Sequence, residues 1–341
     1  MKARFVLSKS LLFDQYEKLQ GLSDKISYSV KTNPVVAQVL EEHRDCVFSM
    51  HTEEELSYIK DKKRVWFLAE SWDKEQIERI INQGIRKFTV HNTNDLDILM
   101  DFLEGKDIKI DLLLRVKLRE HTIFTGRYFV FGMDSKTINR KIHELRDNPN
   151  INKLGIHFHR KTQNTSEWSL KHELENILEE QTLKSIDIVN MGGGLPVKYK
   201  NTGDDNLPRI FDEIRNLVKW LKSHNIETII EPGRFLSGPA IKLEAYVKNV
   251  FDNNIVVNCS VYNASMDTLI DPLKLLVEGE SDSGKSYVIK GDTPCSQDIF
   301  RYSVKLPEKK VGDKIVFLNA GAYNFCTDFC SLEKLETVIT D

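Results

Sequence analysis

Short apolar runs alternate with amphipathic stretches over the first two thirds of the chain. Eight runs are rich in β-branched and aromatic residues, as expected for strands buried on both faces. They are ISYSV (26–30), CVFSM (46–50), RVWFLA (64–69), KFTVHN (87–92), IDLLLRV (110–116), KLGIHFH (153–159), IDIVNMG (186–192) and TIIEPG (228–233). The stretches between them carry helical stripes, such as Ile77, Ile80 and Ile81 before Gly84. Eight alternations of strand and helix predict a parallel (β/α)8 barrel.

The pattern changes after Pro239. Four β-rich segments follow, separated by short polar turns: IKLEAYVKNVF, NIVVNCSVYN, KSYVIKG and DKIVFLNAG. This pattern predicts an antiparallel β domain, to which the opening segment MKARFVLSKS adds a strand. We therefore predict a barrel at residues 20–238 and a β domain formed by residues 1–19 and 239–341.

Composition narrows the class of protein. The 341 residues suffice for two domains, and 40% hydrophobic and 29% charged residues are typical of a globular protein. A net charge of -3 gives no strong attraction to nucleic acid or membranes, and neither a signal peptide nor a membrane-spanning run is evident. Five cysteines, few and odd in number, favour reduced thiols. We expect a cytoplasmic protein without a metal site.

Candidate functional residues stand where the predicted strands end, because barrel active sites collect at the C-terminal ends of the strands. These ends carry Lys31, His159, Gly192–Gly194, Glu231 and Arg234. Consecutive glycines let the backbone approach an anion and offer it several N–H groups, and an arginine adds charge for a phosphate. A tight strand-to-helix turn is the alternative interpretation of the glycines.

A lysine at a barrel mouth is commonly a solvated residue of the rim, but its amine also forms Schiff bases where water is partly excluded. Together with a phosphate site, this chemistry indicates pyridoxal phosphate, which also needs a charged partner for its pyridine nitrogen. Glu231 suits that position, since a carboxylate keeps the nitrogen protonated. His159 either lies flat against the ring or is a hydrogen-bonded polar residue of the barrel mouth.

Six short motifs occur in the order found in a known family. They are YSVKTNP (28–34), HFHRKTQ (157–163), MGGGLP (191–196), EPGR (231–234), TPCSQD (293–298) and GAY (321–323). With them, essentially the whole chain resembles the fold-type III pyridoxal-phosphate-dependent decarboxylases, the family of ornithine, arginine, diaminopimelate and carboxynorspermidine decarboxylases. The resemblance implies an alanine-racemase-like TIM barrel followed by a β domain, and a place in polyamine or lysine biosynthesis.

The resemblance also implies a role for each motif. Lys31 carries the cofactor through a Schiff base, His159 stacks on its ring, and Glu231 pairs with the pyridine nitrogen. Further cofactor-binding residues are Thr162, Gly192, Gly193, Gly194, Gly233, Arg234 and Tyr323. Cys295 reaches the active site of the other subunit of a homodimer and returns a proton to the α-carbon. The alternative is that Cys295 is a small buried apolar side chain.

Some positions depart from the family pattern. Where the family continues its histidine motif with Gly-Ser, this chain has Arg160, Lys161 and Thr162. The two basic residues are either solvated charges of the rim or contacts to an anionic part of the substrate. The acid that follows the cysteine in ornithine and diaminopimelate decarboxylases is Ser296 here, and a second acid of ornithine decarboxylases is replaced near Ser260.

Asp271 stands in TLIDPLK where diaminopimelate decarboxylases have an arginine. A carboxylate there repels a second carboxylate and attracts an amine. We therefore expect substrate contacts from Asp271, Ser296 and Asp298, and a substrate with a distal amine, such as ornithine, lysine, arginine or a carboxylated polyamine. Diaminopimelate is the alternative substrate.

An amino-acid decarboxylase is the leading functional interpretation, and two other classes remain open. A fold-type III racemase resembles the same barrel, but typically has an arginine at the pyridine nitrogen where this chain has Glu231. A non-catalytic regulator is the third class, although Lys31, Cys295 and Tyr323 are all present. Release of CO2 from an L-amino acid distinguishes the decarboxylase from both.

Overall fold

The computed structural model describes residues 1–118 and 131–341 and divides the chain into two compact units. The barrel unit comprises Leu19–Leu195 and Asp205–Pro232. The β unit comprises Met1–Lys18, Pro196–Asp204 and Gly233–Asp341. The sequence-based division had placed 196–204 and 233–238 with the barrel.

Eight parallel strands close the barrel unit. Numbered along the chain after β1 (Arg4–Ser8) of the β unit, they are β2 (Lys25–Ser29), β3 (Val47–Met50), β4 (Val65–Leu68), β5 (Lys87–Val90), β6 (Ile110–Arg115), β7 (Ile151–His157), β8 (Ile188–Asn190) and β9 (Glu227–Ile230). β2 pairs with β9 and completes the ring. Each strand overlaps one of the eight apolar runs, so the predicted barrel is confirmed.

Helices follow most barrel strands. They are α2 (Pro34–His43), α3 (Lys74–Asn82), α4 (Thr93–Leu103), α5 (Ser135–Leu145), α6 (Leu170–Ile177), α7 (Glu180–Ser185) and α8 (Leu207–Ser223), while α1 (Lys9–Glu17), α9 (Arg234–Ala240), α10 (Val261–Ala264) and α11 (Asp267–Ile270) belong to the β unit. α2 begins as predicted, because Asn33 caps the N–H groups of Val35 and Val36 and Pro34 takes the first helical position. No helix in these described ranges is long and apolar enough to cross a membrane.

Two features stabilise the barrel unit. Trp66, Leu113, Ile188 and Ile229 form a buried apolar cluster. At the N-terminal end of β9, Glu227 bonds to Lys25 and Lys153 at 2.6 and 2.5 Å. The N-terminal ends of barrel strands serve stability, which leaves their C-terminal ends for chemistry.

The β unit contains a mostly antiparallel eight-stranded sheet. Besides β1, its strands are β10 (Ile241–Phe251), β11 (Asn254–Val257), β12 (Leu276–Val277), β13 (Lys285–Lys290), β14 (Ile299–Leu306), β15 (Lys314–Leu318) and β16 (Glu336–Thr340). β1 joins the sheet as predicted. The sheet is not purely antiparallel, because β1 pairs with β16, and β11 with β13, in parallel.

Candidate active site

A buried carboxylate, Glu231, directly follows β9. Its Oε1 accepts hydrogen bonds from the Ser49 hydroxyl at 2.6 Å and from the Asn190 amide at 2.7 Å. Nε2 of His157 lies 3.1 Å from Oε2. Burial by itself raises the pKa of Glu231, but the interactions with His157 and Ser49 outweigh it and hold that pKa well below its usual value. Glu231 is therefore a buried carboxylate that keeps its charge.

Two histidine side chains lie near this carboxylate: His157 is the last residue of β7, and His159 follows two residues later. Burial lowers the pKa of His157, and it lowers the pKa of His159 further, where the charge of Arg115 adds to the effect. Both rings are therefore neutral at pH 7. Nδ1 of His159 accepts the Gly193 N–H at 3.1 Å, so the proton of this ring is on Nε2. This hydrogen bond fixes the orientation of the His159 ring.

Lys31 lies between β2 and α2, in a single 3-10 turn, Val30–Thr32. The prediction that a strand ends on this lysine is wrong, because β2 already ends at Ser29. The side chain is accessible to solvent. The protein around it nevertheless lowers the pKa of Lys31, chiefly by desolvation, although the charges of Glu55 and Glu231 oppose that effect. A larger share of the amine is therefore unprotonated than in an ordinary lysine.

The glycine turn Gly192–Gly194 lies against these residues with no room for side chains. A Cβ atom on Gly193 would lie 2.4 Å from the carbonyl oxygen of Glu231, and Gly192 has a positive φ of 64°. The N–H of Gly192 donates to Asn190 at 3.0 Å, and the N–H of Gly193 donates to His159. Two of the three amides therefore hold side chains of the site in place, a role that the sequence did not predict for them.

Arg160 occupies neither of the positions predicted for it. Its side chain is fully buried and forms an ion pair with Glu173 of α6, and Glu167 lies 4.0 Å away. It is therefore neither a solvated charge of the rim nor available to a substrate. Lys161 and Thr162 are half-buried, and their predicted contacts remain predictions.

In the β unit, Arg234 lies at the centre of a polar cluster. Its guanidinium donates to Tyr199 at 3.2 Å, to Asp267, and to Asp271 at 3.4 Å. The ring of Tyr323 stacks 5.1 Å from the guanidinium carbon. Burial opposes the charge of Arg234, but Tyr199 and Asp267 outweigh it and raise the pKa of this arginine. The predicted attraction of an amine by Asp271 is therefore weakened, because Arg234 offsets part of its charge.

A second group in the β unit surrounds Cys295. Cys295 is half-buried, and Ser296 is exposed. Asp298 is fully buried, and its carboxylate accepts the N–H of Val261 at 2.9 Å and the Thr293 hydroxyl at 2.6 Å. The predicted substrate contact of Asp298 is wrong, because these internal bonds occupy a carboxylate that has no exposed surface. Ser260, near the second predicted acid position, is likewise buried and caps α10.

The structure thus groups the predicted residues within each unit. Glu231, His159 and the glycine turn contact one another in the barrel unit. The charge of Glu231 also acts on the pKa of Lys31. Arg234, Asp271 and Tyr323 form one cluster of the β unit, and Gly233 is the N-cap residue of α9. Sequence reasoning missed Ser49, His157, Asn190, Arg115 and Tyr262. All but Tyr262 lie in the last two residues of barrel strands. Examining every polar residue at the end of a predicted strand would therefore have found these four.

The barrel residues fit pyridoxal phosphate. An aldehyde requires an amine that is partly unprotonated, which Lys31 provides. A flat ring suits the neutral, fixed imidazole of His159, and a protonated pyridine nitrogen requires a carboxylate that stays ionised when buried. The chemistry of the donor set therefore agrees with the cofactor that the sequence predicted.

Known proteins of similar sequence include diaminopimelate and ornithine decarboxylases. The diaminopimelate decarboxylase of Aquifex aeolicus is 24% identical over 281 residues, which cover 77% of this chain and 66% of that protein. The probable ornithine decarboxylase of Dictyostelium discoideum is 21% identical over 359 residues, covering 95% of this chain and 76% of that protein. The matches with this diaminopimelate decarboxylase and with two others span about two thirds of the length of each relative.

Solved structures share the fold of the whole chain. The lysine/ornithine decarboxylase from Vibrio vulnificus complexed with putrescine superposes with a TM-score of 0.82 at 20% identity, covering 99% of this chain and 94% of that one. The diaminopimelate decarboxylase from Helicobacter pylori complexed with L-lysine gives a TM-score of 0.84 at 19% identity, covering 100% and 92%.

The family match covers the larger part of the chain. The model of the pyridoxal-dependent decarboxylase, pyridoxal binding domain, matches residues 12–238. This range contains the lysine, histidine, glycine and carboxylate motifs whose geometry is described above. The predicted family resemblance is thereby confirmed, and the chain belongs to the family of pyridoxal-dependent decarboxylases.

Proposed function

We propose that this protein catalyses the pyridoxal-phosphate-dependent α-decarboxylation of an L-amino acid that carries a distal amine. The observation that carries the proposal is Glu231, a buried carboxylate held in its ionised form by Ser49, Asn190 and His157. A carboxylate of this kind keeps a proton on a pyridine nitrogen, which makes the ring a strong acceptor of electrons.

Each barrel residue then has a defined task. Bound pyridoxal phosphate supplies a ring that accepts the electrons of the bond between the α-carbon and the departing carboxylate. Lys31 would hold the cofactor through its side-chain amine. His159 would cover one face of the ring with its neutral imidazole, and Glu231 would hold a proton at the ring nitrogen. Cys295 returns a proton to the α-carbon as a general acid.

The substrate class follows from the relatives and from the surroundings of Asp271. Relatives and neighbours named above act on amino acids with two amino groups, which supports a distal amine. Asp271 was the sequence-based reason to disfavour diaminopimelate, but Arg234 lies 3.4 Å from it and reduces its repulsion of a second carboxylate. Diaminopimelate is therefore the second candidate substrate, favoured by the pairing of Asp271 with Arg234.

A substrate panel tests this proposal. Purified protein loaded with pyridoxal phosphate is incubated with L-ornithine, L-lysine, L-arginine, a carboxylated polyamine and meso-diaminopimelate, and CO2 is measured. We expect CO2 from at least one amine-terminated substrate. Conversion to the D-isomer without CO2 would identify a racemase, and no reaction with any of them would favour a regulator.

Lys31 is tested separately. The Lys31→Ala variant should lose both turnover and the near-visible absorption of the Schiff base, because no other amine replaces it at this position. Lys171→Ala on the exposed face of α6 is the matched control and should keep both. Normal activity of Lys31→Ala would refute the assignment of this lysine.

A cytoplasmic homodimer with shared active sites is part of the proposal, and it rests on the family resemblance. The cofactor contacts of Thr162, Gly233, Arg234 and Tyr323, and the substrate contact of Ser296, also remain predictions. Mixing inactive Lys31→Ala with inactive Cys295→Ala tests the shared site. A mixed dimer with two-fold symmetry regains one site with both native residues. Recovery of no activity under conditions of subunit exchange would contradict sharing.

A further inference from the structure

Cys295 has a neighbour that the sequence motifs did not indicate. The hydroxyl oxygen of Tyr262 lies 3.0 Å from the Sγ atom of Cys295. Tyr262 is 9% exposed, whereas Cys295 is half-buried. A tyrosine hydroxyl at this distance forms a hydrogen bond with the sulfur.

Four contacts hold Tyr262 in place. It belongs to α10, where Ser260 accepts its N–H at 3.1 Å and Asn263 accepts the N–H of Ser260 at 3.0 Å. Its carbonyl oxygen accepts the N–H and the hydroxyl of Thr327 at 2.9 and 3.0 Å. Its ring packs on Phe329 with 4.1 Å between the ring centres. A four-residue helix is too short to be stable alone, so these contacts determine where the hydroxyl lies.

The loop that carries Cys295 is tied to the same helix by Asp298. One carboxylate oxygen of Asp298 accepts the N–H of Val261 in α10, and the other accepts the hydroxyl of Thr293 in the loop. The N–H of Asp298 donates to the carbonyl oxygen of Cys295 at 3.1 Å. A Cβ atom on Gly291 would lie 2.1 Å from this carboxylate, so the loop packs closely around it. Asp298 thus fixes the distance between Tyr262 and Cys295.

We propose that Tyr262 is a positioning residue for Cys295: its hydroxyl holds the sulfur by a hydrogen bond and stabilises the thiolate that remains after the thiol has given up its proton. This inference rests on the proposed function, in which Cys295 protonates the α-carbon. In that step the S–H bond breaks, a C–H bond forms at the α-carbon, and sulfur keeps the electron pair. Tyr262 donates its O–H to this charge until a proton from water restores the thiol.

The electrostatics of the pair agree with this direction of donation. The hydrogen bond from Tyr262 and the N–H of Gln297 lower the pKa of Cys295, while the charge of Asp298 opposes them. The same hydrogen bond with Cys295 raises the pKa of Tyr262 to about 12, and Asp298 and Cys330 act in the same direction. At neutral pH the tyrosine therefore stays protonated and remains a donor.

The pH dependence of thiol alkylation tests the inference. The protein loaded with pyridoxal phosphate is treated with iodoacetamide between pH 6 and 10, and modification of Cys295 is followed by peptide mass spectrometry. In Tyr262→Phe we expect the alkylation rate at pH 7 to fall severalfold, because loss of this hydrogen bond raises the pKa of Cys295 and leaves less thiolate. The variant keeps the ring that packs on Phe329, so it should fold.

Two controls make the result specific. Tyr302→Phe removes a hydroxyl from a side chain that is 69% exposed, and should leave the profile of Cys295 unchanged. Cys326 in the same digest reports any general change in reactivity. An unchanged profile of Cys295 in Tyr262→Phe would overturn the inference.

Catalysis supplies the second measurement. If the native protein releases CO2, Tyr262→Phe should lower kcat while KM changes little, because Tyr262 acts through the protonating group. A shifted alkylation profile in a protein that releases no CO2 would support the pairing of Tyr262 with Cys295 and refute the proposed function. Decarboxylation with native kcat in Tyr262→Phe would refute the catalytic use of the pair.

Discussion

Glu231→Gln separates the charge of the buried carboxylate from its place in the barrel. The amide oxygen of glutamine can still accept from Ser49 and Asn190, which now contact Oε1 at 2.6 and 2.7 Å. The amide NH2 group would face Nε2 of His157, and a neutral imidazole can accept there after a change of tautomer. The substitution therefore removes the charge and keeps the hydrogen-bonding pattern.

The expected magnitudes follow from this geometry. Because each hydrogen bond is replaced, the free energy of unfolding should fall by only about 1 kcal/mol. Loss of one preorganised electrostatic group at the reacting centre typically costs about 10²- to 10³-fold in rate, or roughly 3–4 kcal/mol of barrier. We therefore expect Glu231→Gln to fold well and to decarboxylate its substrate at least a hundredfold more slowly.

Ser49→Ala is the matched variant with the opposite expectation. It deletes the 2.6 Å hydrogen bond and keeps the carboxylate charge, which Asn190 and His157 still support. Loss of a donor to a buried charged group costs about 1.5–3 kcal/mol of stability. The rate should fall by at most about tenfold, or about 1.4 kcal/mol.

Urea unfolding and steady-state CO2 release, measured on all three proteins, distinguish the two effects. If Glu231→Gln keeps kcat within about threefold, less than about 1 kcal/mol of barrier, the carboxylate is not the partner of the ring nitrogen. If Ser49→Ala is the slower of the two variants, the network acts through packing and not through charge.

Two further predictions concern stability. Arg160→Met should lower the free energy of unfolding, measured in urea, by about 3 kcal/mol, because Glu173 of α6 loses its buried partner. Lys171→Met, in an exposed pair on the same helix, should change the free energy of unfolding little. Glu227→Gln should cost about 1 kcal/mol at pH 7, since solvent partly screens its lysine pairs. Burial raises the pKa of Glu227, but the two lysines lower it by more, so the folded-state pKa lies below the unfolded value. The stability that the charged Glu227 contributes is therefore fully present above about pH 4.5, and it is lost as the pH falls through the folded-state pKa. Glu180→Gln, in a fully exposed helix pair, should show a much weaker pH dependence, because solvent screens that pair.

The barrel could be predicted from the sequence because its strands are buried on both faces. Such strands are continuous apolar runs, and amphipathic helices follow most of the eight. The β unit was harder, since β14 and the four-residue helices α10 and α11 have no periodicity of their own. They are held by tertiary contacts, such as the bond from Val261 to Asp298.

Errors in the candidate site arose where neighbours in sequence point in different directions. Asp298 follows Cys295 by three residues, yet its side chain turns inward to hold the loop. Arg160 directly follows His159, yet its partner Glu173 lies 13 residues further along the chain, on α6. Asp271 is held by Arg234, which is 37 residues distant in sequence. Motif spacing locates such residues but gives no information about which partner each side chain meets.

The charge of Glu231 is a property of the closed barrel and not of its motif. The carboxylate follows β9, while its hydrogen-bonding partners come from β3, β7 and β8. Burial alone would raise the pKa of this group and favour its neutral form, which cannot hold a proton on a ring nitrogen. Only when the strands close into a ring do Ser49, His157 and Asn190 meet at one point. The sequence therefore locates this carboxylate, but the fold is what keeps it ionised.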